Sequence, residues 1–213
     1  MTNAVLSELD TLPLVAILRG LRPDEAVEVG EAIVAAGFRC LEVPLNSPDP
    51  LVSIRKLRDA LDGRAVVGAG TVLTRDAVHA IADAGSQLVI SPNTDTDVIR
   101  AAKAAGLVSM PGFYTPSEAF AALAAGADVL KLFPAELAGP PGLRAVRAVL
   151  PPVTRVYAVG GANPASMQAW CDAGASGFGI GASLYKPGTT PTEAESAARA
   201  FVSAWSAIST DKP

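Results

Sequence analysis

The chain has 213 residues, half of them hydrophobic and 18% charged, with a net charge of −4 and a pI near 5.0. That length fits a single α/β domain with a sizeable core, and an acidic chain without a Lys/Arg cluster excludes nucleic acid as the expected partner. Two cysteines outside any CxxC motif and one histidine, His79, exclude a disulfide framework, a structural zinc site and a multi-histidine metal centre. No metal or other cofactor is expected, although counting alone leaves a carboxylate-bound magnesium open.

The N-terminal stretch lacks a basic region and carries Glu8 and Asp10, so it does not read as a signal peptide. No apolar run approaches the roughly 18 residues of a membrane span, and the expectation is a cytoplasmic protein with no membrane partner. Residues 1–11 are expected to form a short extra helix. Eight strands follow: "LVAILRG" (14–20), "CLEVPLN" (40–46), "AVVGAGTV" (65–72), "LVISP" (88–92), "VSMPG" (108–112), "VLKLFP" (129–134), "RVYAVGG" (155–161) and "GFGIGAS" (177–183). Between them lie Ala-rich segments with apolar residues at helical spacing. Ala-Gly pairs place Gly37, Gly85, Gly106, Gly126 and Gly174 where a helix wants a left-handed C-terminal residue. Helix starts are marked by "TPSE" (115–118), a capping box with Pro116 in its first turn, and by Asn163-Pro164. Eight strand–helix units predict one (β/α)₈ TIM barrel over 1–213, with its core at about 12–208. An open doubly wound sheet is the alternative, weakened by the lack of G-x-G-x-x-G after the first strand.

Strands of a parallel barrel are buried on both faces, and alternation assigns the faces. Leu14, Ala16 and Leu18 form one row of the first strand, opposite Val15, Ile17 and Arg19; Leu41, Val43 and Leu45 lie opposite Cys40, Glu42 and Pro44; Leu130 and Leu132 lie opposite Val129, Lys131 and Phe133. Arg19, Glu42 and Lys131 should therefore point into the barrel near the C-terminal ends of their strands, where barrels carry their active sites. A structural ion pair is the bland reading of this trio. A desolvated amine, however, attacks carbonyls to give an imine that permits carbon–carbon cleavage. Glu42 would then be the proton shuttle and Arg19 the fork for a substrate carboxylate.

The glycine-rich ends of strands seven and eight, Gly160, Gly161, Gly181, Ala182 and Ser183, stand where such barrels bind phosphate, although glycines also serve tight turns. Thr71 in "GAGTV" would bind a carboxylate or cap a helix. The aromatic residues of "GFYT" (112–115) are expected to line the mouth. Glu136, on a loop beyond strand six, is within reach of a substrate but reads more simply as a solvated carboxylate. His79 is a helix residue with no catalytic role.

Taken together, "AILRG", "LEVPLNSP", "VGAGTV", "SPN", "PG", "LKLFPA", "AVGG" and "GIGASLY" resemble, in order and spacing from about residue 12 to 208, the bacterial 2-keto-3-deoxy-6-phosphosugar-acid aldolases. The resemblance implies a class I, metal-independent, homotrimeric (β/α)₈ aldolase. Its substrate would be a small phosphorylated keto acid, cleaved to pyruvate and D-glyceraldehyde 3-phosphate. It implies Lys131 as Schiff-base residue, Glu42 as general acid/base, and Arg19 and Thr71 on the pyruvate part. Gly160, Gly161 and Ser183 would hold phosphate, and Phe133, Asn46 and Val159 would join the substrate contacts. Members acting on the gluconate-derived substrate carry an arginine at the place of Asn46 and threonine at the place of Val159. The pattern here resembles instead the branch acting on the galactonate-derived C4 epimer, with the gluconate-derived epimer as alternative. A non-covalent phosphate-barrel isomerase and a catalytically silent binding barrel are the readings from other classes.

Overall fold

A computed structural model describes residues 2–210. Helix α1 (Thr2–Thr11) precedes β1 (Leu14–Ile17), α2 (Ala26–Ala35), β2 (Cys40–Pro44), α3 (Pro50–Ala60), β3 (Val66–Gly70), α4 (Arg75–Asp83), β4 (Leu88–Ile90) and α5 (Thr96–Ala104). Then come β5 (Val108–Met110), β6 (Gly112–Phe113), α6 (Pro116–Ala124), β7 (Leu130–Leu132), α7 (Ala135–Arg147), β8 (Val156–Val159), α8 (Met167–Asp172), β9 (Gly177–Ile180) and α9 (Pro191–Thr210). All pairings are parallel, in the order β5-β4-β3-β2-β1-β9-β8-β7-β6.

The expected fifth strand is thus two short ones, and the reason is Pro111. Proline has no N–H to give a ladder and is found where pairing is interrupted. Up to Met110 this stretch pairs with β4; beyond Pro111, Gly112 and Phe113 pair with β7. The Pro111 carbonyl accepts from Lys131 N at 2.9 Å, so one continuous piece of chain joins the two ends of the sheet and the barrel is nearly closed.

Alternation sorts the side chains into two apolar clusters. Leu14, Ala16, Leu18, Leu41, Val43, Leu130 and Leu132 pack outward under the helices. Val15, Cys40, Val66, Leu88, Val108, Val129 and Tyr157 fill the interior, where Val5 and Leu9 of α1 join them. The Tyr157 hydroxyl donates to the Leu9 carbonyl at 3.1 Å, which fixes α1 as the plug of the N-terminal end. Val5, Leu9 and Tyr157 thus fill the barrel interior at that end.

The five Ala-Gly signals hold: Gly37, Gly85, Gly106, Gly126 and Gly174 have φ between 73° and 111°. The "TPSE" capping box forms, with Thr115 and Glu118 exchanging hydrogen bonds. Asn163-Pro164 opens a turn rather than a helix. Asn163 Oδ1 accepts from Ser166 N at 3.1 Å, and regular α8 starts only at Met167. No helix among the described residues is long and apolar enough to cross a membrane.

Candidate active site

At the C-terminal mouth lies a cavity of about 360 Å³. Its walls are Ile17 at the end of β1 and Arg19 beyond it, Lys131, Phe133 and Glu136 around β7, Val159 at the end of β8 with Gly160–Ala162 beyond it, and Gly179 and Gly181–Ser183 on and after β9. A larger concavity of about 500 Å³ lies elsewhere, lined by Arg55, Arg58, Asp59, Asp62 and Asp83, but these ionisable side chains are all exposed or half-buried. The mouth cavity is the one lined by the buried Lys131.

Lys131 is 5% exposed, its Nζ 4.9 Å from the centroid of the Phe133 ring. Burial holds its pKa below the ordinary lysine value, Glu42 opposes that effect, and Arg19 adds to it. Glu42 is 1% exposed, and its Oε2 has no hydrogen-bond partner. Burial pushes its pKa up to about 7, against the pull of Lys131 and Arg19. An amine that is easily deprotonated and a carboxyl poised near neutrality are what imine formation and proton transfer require. Among the described residues, no group of three His, Cys, Asp or Glu stands close enough to hold a metal ion.

The carboxylate fits because the C-terminal part of β3 offers no inward side chain to obstruct it. Interior positions 68 and 70 are glycine, and a Cβ on Gly70 would overlap the Glu42 carboxylate. The next residue, Thr71, has φ +56°, a left-handed backbone that costs a β-branched residue roughly 1–3 kcal/mol and that collects at functional sites. Thr71 is half-buried and lies off the cavity wall.

Three expectations change. Arg19 is not an inward strand residue: β1 ends at Ile17, and Arg19 stands exposed on the rim, reaching the cavity from the loop. There its Nη1 donates to Asn46 Oδ1 at 2.6 Å, while Gly20 N donates to Ser47 Oγ at 2.9 Å, tying the β1 loop to the β2 loop. Asn46 therefore stands behind Arg19 rather than on the wall, and the buried Glu42 also lies off it. The aromatic residues of "GFYT" do not line the mouth. Phe113 is buried in the outer layer, while Tyr114 is exposed and off the wall. The strand alternation there turns Phe113 outward once Pro111 has fixed the register.

The glycine loops are built for an anion. Gly160, at φ 112°, and Gly161, at φ 73°, follow β8, and among the described residues Gly160, Gly161 and Ala182 make no hydrogen bond within the protein. Their N–H groups border the cavity, as in the backbone concavities that bind phosphate. Ser183 Oγ donates to the Ala162 carbonyl at 3.2 Å and so joins the two loops. Glu136 sits in the first turn of α7 rather than on a loop, with its side chain laid across Gly160 and Gly161. The sequence signal for that contact is the glycine pair itself. His79 is exposed on α4, away from the cavity.

Comparison with known proteins agrees in kind. A family model described as KDPG and KHG aldolase matches residues 5–195. The chain is 46% identical over 196 residues, 92% of each chain, to a protein of Rhizobium meliloti (strain 1021) named a probable 2-dehydro-3-deoxy-6-phosphogalactonate aldolase. It is also 46% identical over 194 residues, 91% of this chain and 95% of the relative, to the Escherichia coli (strain K12) protein named 2-dehydro-3-deoxy-6-phosphogalactonate aldolase. A solved structure described as native KDPGal superposes with a TM-score of 0.92 at 45% identity, over 93% of this chain and 97% of that one.

Proposed function

The chain belongs to the KDPG and KHG aldolase family and is a lyase of the aldolase type, and from its site we propose that it cleaves 2-dehydro-3-deoxy-6-phospho-D-galactonate to pyruvate and D-glyceraldehyde 3-phosphate through a Schiff base on Lys131. The observation that carries this reading is a strand lysine, buried at the mouth of the barrel with a depressed pKa, next to a buried carboxyl raised to about 7.

The steps follow from those two groups. The neutral Lys131 amine adds to the C2 carbonyl, protonated Glu42 gives its proton to the carbinolamine hydroxyl, and loss of water leaves a protonated imine. Glu42 as carboxylate takes the proton of the C4 hydroxyl. The C3–C4 bond breaks, its electron pair passing to the imine to give an enamine, and the aldehyde phosphate departs. Glu42 returns its proton to C3, and water hydrolyses the pyruvate imine to free Lys131. Arg19, held by Asn46, supplies a cation for the carboxylate end, and Thr71 adds a hydroxyl from its strained turn. Phe133 and Val159 form apolar wall, and the amides of Gly160, Gly161, Gly181, Ala182 and Ser183 take the phosphate. The galacto epimer is preferred over the gluco epimer because a valine methyl, at Val159, faces the cavity where the resembling gluconate enzymes carry a hydroxyl.

The reading extends to assembly and place. Exposed Leu73, Tyr114 and Phe120 supply apolar surface for a homotrimer to cover, and a doubly charged phosphate substrate, which does not cross membranes unaided, supports a cytoplasmic enzyme. Borohydride reduction in the presence of pyruvate, followed by peptide mapping, tests the mechanism. A reduced adduct on the Lys131 peptide, absent from Lys131→Ala, is expected. A folded wild-type protein that yields no adduct would move the assignment to non-covalent phosphate-barrel chemistry.

A further inference from the structure

Glu136 poses a problem that the cleavage steps leave unsolved. Among the described residues its carboxylate makes no hydrogen bond or ion pair, yet it borders the cavity and lies against the loop whose free amides suit an anion. The placement is built in. A Cβ on Gly160 would overlap Oε2 of Glu136, and one on Gly161 would stand 2.8 Å from its Cβ, so both glycines leave room for this side chain. A lone carboxylate beside a phosphate cradle is repulsive unless something supplies it with donors. Phosphate has none to spare near neutrality, and neither does the apolar wall of Phe133 and Val159.

The donor that fits is a hydroxyl. Gly160 lies between Val159, at the strand end nearer Lys131, and Gly161 on the anion loop. A chain anchored at Lys131 by one end and at the amides by its phosphate passes Glu136 with the carbon adjacent to the phosphate-bearing carbon. We infer that Glu136 accepts a hydrogen bond from the hydroxyl on that carbon and is a specificity-determining residue for hydroxylated aldehyde phosphates. The inference rests on the aldolase reading above and deepens it. A site that hydrogen-bonds a substrate hydroxyl rejects the analogue lacking it, because its own polar group is left unpaired.

The test is aldol addition of pyruvate to D-glyceraldehyde 3-phosphate and to its 2-deoxy analogue, measured as kcat/KM in wild type, Glu136→Gln and Glu136→Ala. Wild type should favour the hydroxylated aldehyde by about 10- to 100-fold. Glu136→Ala should bring the preference within about threefold of parity, and Glu136→Gln, which keeps an acceptor oxygen, should fall between. An undiminished preference in Glu136→Ala overturns the inference. So does an unchanged preference accompanied by tighter competition from inorganic phosphate, which would make Glu136 an electrostatic gate instead. Pyruvate trapping on Lys131 in wild type separates failure of this contact from failure of the aldolase reading.

Discussion

The Glu42 carboxylate lies where the side chain of residue 70 would be: any Cβ on Gly70 would overlap Oε2 and crowd the whole carboxyl group. Gly70 is not a left-handed glycine; it is extended backbone at the end of β3, paired with Pro44. Its lack of a side chain is therefore a matter of room for an ionisable group rather than of backbone freedom. Gly70→Ala should leave the barrel folded while pushing the carboxyl out of line with the substrate. A displacement of about 1 Å costs on the order of 10²-fold in rate, and that loss should appear in kcat with pyruvate trapping on Lys131 retained. Turnover of Gly70→Ala at the wild-type rate would remove Glu42 from proton transfer.

The pH dependence follows from the same burial. Glu42 titrates at about 7 in the fold and near 4.5 as an ordinary glutamate. The folded state therefore holds the proton more tightly, and its contribution to stability is full below about 4.5 and lost as pH rises to about 7. Relative to Glu42→Gln, the wild type should lose on the order of 3 kcal/mol across that window, read from chemical denaturation at several pH values. Lys131 works the other way. Its lowered pKa makes the unfolded chain bind more protons, so its charge costs stability that is regained as pH rises. Glu42→Gln should also reduce turnover by about 10²–10⁴-fold and abolish an inflection near pH 7 in kcat/KM. An inflection that survives in Glu42→Gln would have to come from another group.

How much of this could be read beforehand depended on the range of each interaction. Glu42 and Lys131 were legible because strand alternation is local: a charged residue facing away from a leucine row must enter the barrel. The glycine loops were legible because their position after β8 and β9 is set by the order of the units. Arg19 reaches the cavity wall for a reason that strand alternation does not contain. Its strand stops at Ile17, and what brings it to the cavity is a hydrogen bond to Asn46, 27 residues away. Nothing in a local pattern encodes that pair. The same holds for Phe113 and Glu136, since Pro111 decides where one turns and a glycine pair on a neighbouring unit decides where the other rests.

Val159 offers the sharpest test of epimer choice. It is 5% exposed, and its Cγ atoms lie where a side chain on Gly179 would meet them, so it is held in a fixed place on the cavity wall between β8 and β9. Valine and threonine share a shape but not a hydroxyl, and the exchange is costly wherever that hydroxyl lacks a partner. In Val159→Thr the new hydroxyl has a partner only when the substrate presents its C4 hydroxyl on that side. The ratio of kcat/KM for the galacto over the gluco epimer should then fall by about tenfold, mainly through a gain on the gluco substrate, because an apolar wall by itself rejects a displaced hydroxyl only weakly. Wild-type rates that are equal on the two epimers, or a ratio unmoved by the substitution, would place the discrimination elsewhere, with Arg19 and Asn46 the next residues to exchange.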